Sequence, residues 1–231
     1  SVQNLKIDWN WNCERLADVI KVVSNDQNGI TFEFIETGKA PDTFEGVTLD
    51  QCDPLTYSAG IENGKAYRIS QLNIESTVKT ADNRLMLQCR ELARLAVGET
   101  YILYHYNYGT HAVAAMGCTN LTLENITVYS APGMAFSVNR SDHFQVLDCN
   151  VTLRPESGRH VSSTADSLHI VNGKGYLIIE GCDFGYMGDD ALNIHTDTNR
   201  IEKRVSEKTL LLGNFMRPVE GTLYSFRDAS F

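Results

Sequence analysis

Short segments in the second half of the chain alternate apolar and polar residues, and three of them resemble one another. They are CTNLTLENITV from Cys118 to Val128, SDHFQVLDCNVTL from Ser141 to Leu153 and GKGYLIIEGCDF from Gly173 to Phe184. Alternation over such short runs predicts β-strands. Their repetition within one chain predicts a stack of similar coils.

The spacing of these repeats indicates the kind of coil. Leu121 of the first repeat aligns with Phe144 of the second, and this shift in residue number (144 − 121 = 23) is the length of one coil of a parallel β-helix. The shift from the second repeat to the third is longer (182 − 149 = 33), because a polar loop from Arg154 to Thr164 is inserted. We expect such an insertion to lie on the binding face of a solenoid.

The remainder of the chain shows strand signals without the coil spacing. Residues 1–103 contain short alternating runs and two Asn-Gly pairs, which favour antiparallel hairpins of a small β-barrel or sandwich. We predict coils over residues 104–197 and further hairpin strands, completing the barrel, over residues 198–231. The predicted fold is all-β, a parallel β-helix with an associated antiparallel segment. Because no capping element is visible, we expect a piece of a longer protein or coils covered by the barrel strands.

Two cysteines test this register. Cys149 and Cys182 take equivalent interior positions in the second and third repeats, so we expect free thiols that are buried neighbours on successive rungs. The six cysteines of the chain include no CxxC pair, which makes a zinc site a weak interpretation.

Charge and hydropathy exclude two classes of partner. The net charge is −9 and no run of Lys or Arg occurs, which argues against nucleic acid or an anionic membrane surface. No apolar run is long enough to cross a bilayer.

Three aspartates carry the candidate chemistry. Asp166 follows the inserted loop, and the segment after it matches the segment after Asp190, again about one coil further along the chain (190 − 166 = 24). Neighbouring strands lie about 4.7 to 4.9 Å apart, so both carboxylates and the adjacent Asp189 should be close together. Carboxylates that repel one another at such distances indicate acid/base machinery. The alternative is that Gly188-Asp189-Asp190 is an ordinary turn.

Further polar residues near the aspartates are candidates for sugar contacts. His169 and His195 follow the aspartates in their coils and are either sugar ligands or ordinary rung residues. Arg159 of the inserted loop would bond substrate hydroxyls or hold an aspartate ionised. Tyrosines 104, 106 and 108 alternate, so one ring, best Tyr108, would stack on a sugar, although tyrosines are also good strand formers.

The order of five sequence blocks resembles glycoside hydrolase family 110, whose members are bacterial α-galactosidases that remove terminal α-1,3-linked galactose. The blocks are Tyr108–Ala112, Tyr129–Met134, Ser157–Arg159, Ala165-Asp166 and Gly185–His195. The resemblance covers residues 100–231 well and the amino-terminal part more loosely. A more distant similarity is to the polygalacturonases of family 28, but their Gly-His-Gly and Arg-Ile-Lys motifs are absent, which makes pectin the less favoured substrate.

The resemblance implies a right-handed parallel β-helix, inverting hydrolysis and neither an organic cofactor nor a metal. It implies that Asp166, Asp189 and Asp190 are the catalytic acids. The residues expected to contact the sugar are His195, Arg159, Tyr108, His111 and Asn193. It also implies a secreted, periplasmic or cell-surface location, and it leaves open a homo-oligomer and the choice between α-1,3 and α-1,4 linkages.

Two other functional classes stay open on the sequence. A polysaccharide lyase would need a cation to neutralise a uronate, and no Lys/Arg cluster lies beside the aspartates. A non-catalytic glycan-binding solenoid would keep the coils and the aromatic residues but would not need three carboxylates.

Overall fold

The computed structural model describes residues 1–197 and 200–213, and these residues form an all-β protein. The only helical elements in these ranges are two single 3-10 turns, Ile69–Gln71 and Arg90–Leu92. None of the described residues forms a helix with the length and hydropathy of a membrane span. The strands are β1 Val2–Ile7, β2 Ala17–Asp26, β3 Gly29–Phe34, β4 Thr48–Cys52, β5 Ala66–Arg68, β6 Ile74–Ala81, β7 Arg84–Cys89, β8 Thr100–Tyr104, β9 Val113–Met116, β10 Thr119–Val128, β11 Phe136–Asn139, β12 Asp142–Leu147, β13 Asn150–Val151, β14 Leu168–Val171, β15 Lys174–Glu180, β16 Asp183–Phe184, β17 Leu192–His195, β18 Arg200–Ser206 and β19 Thr209–Gly213.

Strands from the second half of the chain form two sheets with parallel pairing. One sheet has the order β15-β12-β10-β13-β16, and the other has the order β17-β14-β11-β9. In the first, Leu121 pairs with Phe144, which pairs in turn with Leu177. The shift of 23 residues (144 − 121) and the shift of 33 residues (177 − 144) predicted from the repeats are therefore both confirmed. The longer step contains the inserted loop, and no strand is formed between β13 and β14.

Alternation along these strands builds an apolar core. Successive side chains of a strand point to opposite faces of its sheet, so every second residue faces inward. Leu123, Ile126 and Val128 of β10 lie in one buried cluster with Phe136 and Val138 of β11. This cluster supports the rungs that carry the candidate site.

The two cysteines lie on successive rungs as predicted, but only one is fully buried. The backbone N–H of Asp183 donates to the carbonyl of Cys149 at 3.1 Å, which places Cys182 one rung away. Cys149 is 0% exposed, whereas Cys182 is partly buried because its strands are the edge of this sheet in the described residues. Both thiols are free, and burial raises the pKa of each, which makes them poor nucleophiles.

The first half of the chain contributes an antiparallel sheet of seven strands. Their order is β5-β4-β8-β2-β3-β7-β6. The predicted Asn-Gly turn closes the β2–β3 hairpin, where Gly29 has a φ of 135°. A Cβ on this glycine would lie 2.3 Å from the carbonyl oxygen of Leu87, so both the backbone angle and the close approach require glycine here.

One strand lies outside the arrangement predicted for residues 1–103. β1 does not join the antiparallel sheet but pairs in parallel with β10, with Val2 opposite Leu123 and Ile7 opposite Val128. Alternation identifies a strand but not its partner, which explains the wrong assignment. The proposed domain boundaries stay a prediction.

The inserted loop is attached to the end of β1 by charged side chains. Asp8 accepts hydrogen bonds from Arg159 at 2.6 Å, Arg154 at 2.9 Å and the hydroxyl of Ser130 at 2.6 Å. Burial opposes ionisation, but these hydrogen bonds hold the pKa of Asp8 below its usual value. The Arg159 guanidinium also lies 4.8 Å from the ring centre of Trp11. The loop therefore has a defined position next to the parallel sheets.

Residues 195–231 form a second compact unit. Within it β18 and β19 make an antiparallel hairpin, with Arg204 opposite Leu210, in the region where hairpin strands were predicted. The further strand predicted at 223–226 lies outside the described residues. The completion of a barrel by this segment stays a prediction.

Candidate active site

The three candidate aspartates meet where successive rungs of the second parallel sheet begin. The N–H of Ala135 donates to the carbonyl of Asp166 at 3.0 Å, and the N–H of Ser167 donates to the carbonyl of Asp190 at 2.9 Å. These bonds continue the ladder of β11, β14 and β17 toward the inserted loop. They stack Asp166 directly on the rung of Asp190, with Asp189 beside it.

The carboxylates of these aspartates converge. One oxygen from each of Asp166, Asp189 and Asp190 lies within 4.8 Å of the other two. Asp166 is 1% exposed, whereas the other two are exposed. The cluster thus has a buried wall and an open side from which a ligand can enter.

Each aspartate is bonded by a neighbouring side chain. His169 Nδ1 bonds Asp166 Oδ2, the Tyr108 hydroxyl donates to Asp189 Oδ2 at 3.0 Å, and Asn193 Nδ2 donates to Asp190 Oδ2 at 3.2 Å. The structure therefore brings Tyr108 and Asn193, both predicted as sugar contacts, to the aspartates.

The buried carboxylate keeps one unsatisfied oxygen. Asp166 Oδ1 is inaccessible to solvent and has no hydrogen-bond partner among the described residues. A buried polar atom without a partner costs roughly 1 to 3 kcal/mol. Such an atom is typical of a site that a ligand completes, because the ligand supplies the missing bond.

His111 lies beside the backbone segment that bonds Asp166. Its Nδ1 accepts the backbone N–H of Met134 at 3.2 Å. Burial, together with the nearby charge of His169, lowers the pKa of His111. A neutral imidazole at this position offers hydrogen bonds without forming an ion pair.

The turn before Asp189 is tightly packed. The N–H of Gly188 donates to the carbonyl of Ser163 at 2.9 Å, and a Cβ at position 188 would lie 2.6 Å from the carbonyl oxygen of Thr164. Tyr186, two residues earlier, has a φ of 63°, an uncommon value for a bulky residue. Close packing and this strained backbone hold the two exposed aspartates in place.

Two further titratable groups belong to the antiparallel sheet: Tyr104, which the sequence offered as one of the alternating tyrosines, and Asp50, which it did not single out. Burial raises the pKa of Asp50. The hydrogen bond from Thr48 lowers this pKa in part, and the negative charge of Asp189 raises it further. Burial also raises the pKa of Tyr104, with contributions from Asp50 and Asp189, and its hydroxyl has no hydrogen-bond partner among the described residues. No sequence signal identifies Asp50, since its neighbours come from a distant part of the chain.

The other predicted residues have different surroundings. Arg159 contacts Asp8, Ser130 and Trp11, so the aspartate that it helps to ionise is Asp8. Its contact with a sugar stays a prediction. His195 belongs to the second unit, where its Nδ1 lies 3.9 Å from Oδ1 of Asp197, and its role also stays a prediction.

The alternating tyrosines have different surroundings. Strand β8 ends at Tyr104, which is buried, while the Tyr106 hydroxyl bonds Glu14. Only Tyr108 donates to a candidate catalytic aspartate in the described residues.

The three carboxylates are also spaced so that one divalent cation could contact all of them. Acidic groups often lie together without a metal. The cluster alone therefore supports no metal assignment.

Comparisons with curated proteins find relatives that match most of this chain. No protein-family profile matches the chain. The α-1,3-galactosidase A of Shewanella woodyi is 24% identical over 207 residues, which cover 84% of this chain, and the α-1,3-galactosidase B of Phocaeicola vulgatus is 26% identical over 211 residues, which cover 85%. The chain resembles α-1,3-galactosidases. The resemblance stated from the sequence is confirmed.

The match covers only part of these relatives. The chain spans 34% of the Shewanella protein and 35% of the Phocaeicola protein. For the α-1,3-galactosidase B of Akkermansia muciniphila, 29% identical over 113 residues, the match covers 49% of this chain and 14% of the relative.

Two glycines near Asp189 provide a matched test of the tight turn. We expect Gly188→Ala to lose about 1 to 3 kcal/mol of stability, because the new methyl group meets the Thr164 carbonyl. Gly185→Ala is the control, since a Cβ there meets nothing within 4 Å, and its change should stay within about 0.5 kcal/mol. Denaturant unfolding measures both. Equal losses would contradict a special constraint at position 188.

The phenol of Tyr108 reports the charge of the cluster. Burial, the hydrogen bond to Asp189 and the charges of the three aspartates raise the pKa of Tyr108 to about 12. The pKa of a tyrosine in the unfolded chain is about 10. The neutral phenol therefore stabilises the folded state fully below pH 10, and this contribution is lost as the pH rises toward 12. The difference in phenolate absorbance between the parent protein and Tyr108→Phe reports the titration of Tyr108. Its midpoint should lie near pH 12. Asp189→Asn should lower this midpoint, and an unchanged midpoint would contradict the assigned hydrogen bond.

Proposed function

We propose that this chain carries the active site of an exo-acting, inverting α-galactosidase that removes terminal α-1,3-linked galactose from glycans. The observation that carries this proposal is the convergence of three carboxylates, one of which, that of Asp166, keeps a buried acceptor oxygen without a partner among the described residues. The resemblance to α-1,3-galactosidases supports the substrate class.

The proposed chemistry uses two carboxyl groups in different protonation states. One aspartate in its acid form donates a proton to the glycosidic oxygen as the bond to the anomeric carbon breaks. Another, ionised, takes a proton from the water that attacks this carbon from the opposite face. The third aspartate positions its neighbours. Each of Asp166, Asp189 and Asp190 is a candidate for either role, because one oxygen of each lies within 4.8 Å of the other two.

The neighbours of the aspartates suit a neutral sugar. The ring of Tyr108, 56% exposed, offers a surface for the apolar face of galactose. His111, kept neutral because burial lowers its pKa, offers a hydrogen bond to a hydroxyl. Asn193 orients Asp190 through its amide. These contacts bind and orient the sugar, while the buried rung of Asp166 excludes bulk water from one side.

The separation of the carboxylates does not by itself favour inversion. Inverting enzymes typically hold their two carboxyl groups roughly 6.5 to 9.5 Å apart, and retaining enzymes about 5 to 5.5 Å apart. The nearest oxygens here lie within 4.8 Å. Inversion is proposed from the resemblance, and it requires that the attacking water enter from the open side of Asp189 and Asp190.

The proposal extends to architecture and location. The two sheets of parallel strands, stepped by one coil length, support a right-handed parallel β-helix as the scaffold. A secreted, periplasmic or cell-surface location in a bacterium follows from the resemblance alone. A lyase or a non-catalytic glycan-binding module would release no galactose from galactosyl-α-1,3-galactose, so this assay separates the hydrolase from both other classes.

Conservative substitutions test the catalytic aspartates. Asp166→Asn, Asp189→Asn and Asp190→Asn should each lower the rate of galactose release by about 10² to 10⁴, because the amide keeps the shape but exchanges no proton. Asp183→Asn is the control, since Asp183 is an exposed strand residue of the adjacent sheet. Circular dichroism should be unchanged in all four. Full activity in one of the three site variants would remove that residue from the mechanism.

The anomeric form of the first product tests the stereochemistry independently. Direct attack by water on an α-galactoside yields β-galactose without a covalent sugar on the enzyme. Proton NMR in the first minutes, before mutarotation, should therefore show the β anomer. Initial α-galactose would instead indicate retention, with one of the closely spaced aspartates acting as nucleophile.

A further inference from the structure

One face of the antiparallel sheet continues the candidate active site. Tyr104 on β8 pairs with Thr48 on β4, and Thr48 pairs with Arg68 on β5. Directly paired residues point to the same side of a sheet, so these three side chains form a row. The row begins at Tyr104, whose ring lies 3.0 Å from the position that a Cβ would take on Gly188, the residue before Asp189, and it ends two strands away at Arg68.

A cavity of about 510 Å³ lies along the outer part of this row. Its walls include Thr48, Asp50, Ala66, Arg68 and Gln71. This volume is within the usual range for ligand pockets, roughly 300 to 1,000 Å³. Asp50 belongs to the wall and lies on the same face of β4 as Thr48, which pairs with Tyr104. The row therefore runs from the turn before Asp189 to this cavity.

The cavity presents polar groups that no protein partner occupies. Among the described residues, the guanidinium of Arg68 and the amide of Gln71 form no side-chain hydrogen bond or ion pair. Asp50 accepts one hydrogen bond, from the hydroxyl of Thr48 at 3.2 Å. Free donors next to carboxylate acceptors are the groups that sugar hydroxyls require. The positive charge of Arg68 is offset by Asp50 and Glu91, which favours a neutral ligand over an anionic one.

We propose that this cavity binds the neutral sugar residue that carries the leaving-group oxygen, the residue to which the terminal galactose is attached. Arg68 and Gln71 donate hydrogen bonds to its hydroxyls, and Asp50 accepts one. The proposal rests on the proposed hydrolase function. It assigns recognition of the second sugar to the antiparallel sheet and hydrolysis to the parallel rungs.

A comparison of two substrates tests the cavity. Arg68→Ala should raise KM for galactosyl-α-1,3-galactose about tenfold, the loss expected for one hydrogen bond from a charged donor. KM for an aryl α-galactoside should stay unchanged, because its leaving group makes no sugar contacts. Arg84→Ala, which breaks only the surface pair with Glu33, is the matched control and should change neither value. Equal effects of Arg68→Ala on both substrates, or no effect on either, would overturn the proposal.

A second cavity competes for the same sugar. It measures about 350 Å³ and is lined by Ile102, Tyr104, Tyr186 and Met187 among others. The residues that line it include no carboxylate, guanidinium or side-chain amide, which makes it the weaker site for a sugar with many hydroxyls. If Tyr186→Ala and not Arg68→Ala raises KM selectively for the disaccharide, the leaving group lies there and the proposal is wrong.

A binding measurement separates this proposal from the proposed function. In the Asp190→Asn background, calorimetry with the disaccharide and with free galactose needs no turnover. Adding Arg68→Ala should weaken disaccharide binding about tenfold and leave galactose binding unchanged. If the parent protein releases no galactose but this binding difference is found, the hydrolase function fails and the second-sugar site stands. If galactose is released but the binding difference is absent, the cavity proposal alone fails.

Discussion

The hydrogen bonds between parallel rungs are the constraint on which the candidate site depends. A parallel ladder fixes which residue of one coil lies above which residue of the next, so carboxylates far apart in sequence meet at a set position. The bonds from Ala135 to Asp166 and from Ser167 to Asp190 perform this alignment. A slip of one residue would turn the side chain of Asp190 to the opposite face and so break up the cluster of three carboxylates.

The cluster combines burial and access in a way that the rungs impose. Asp166 lies under its neighbours with one oxygen held by His169 and the other without a partner among the described residues, whereas Asp189 and Asp190 are exposed. Polar groups reach each carboxylate from separate segments, among them Tyr108 and Asp50. The antiparallel sheet is therefore part of the electrostatic environment of the aspartates as well as a neighbouring structure.

The sequence predicted the part of the fold that repeats. The spacing from Leu121 to Phe144 set the register, and the same reasoning placed Asp166 beside Asp190, because a solenoid converts sequence distance directly into position. It could not place β1 or identify Asp50. Their positions depend on pairing between distant segments, which alternation does not encode. Arg159 was likewise recognised as a group that ionises an aspartate, but its partner Asp8 belongs to the misassigned strand.

The pairing of β1 with β10 has a consequence for the order of folding. Val2 lies opposite Leu123, so the whole antiparallel sheet is a closed loop between two neighbouring strands of the parallel one. Closing a loop of this length costs chain entropy before any contact compensates for it, and non-local pairing is slow. If the antiparallel sheet collapses first, the ends of the loop are brought together and this cost falls. The ion pair of Asp8 with Arg159 would then form late, making the placement of the inserted loop one of the last steps in assembly.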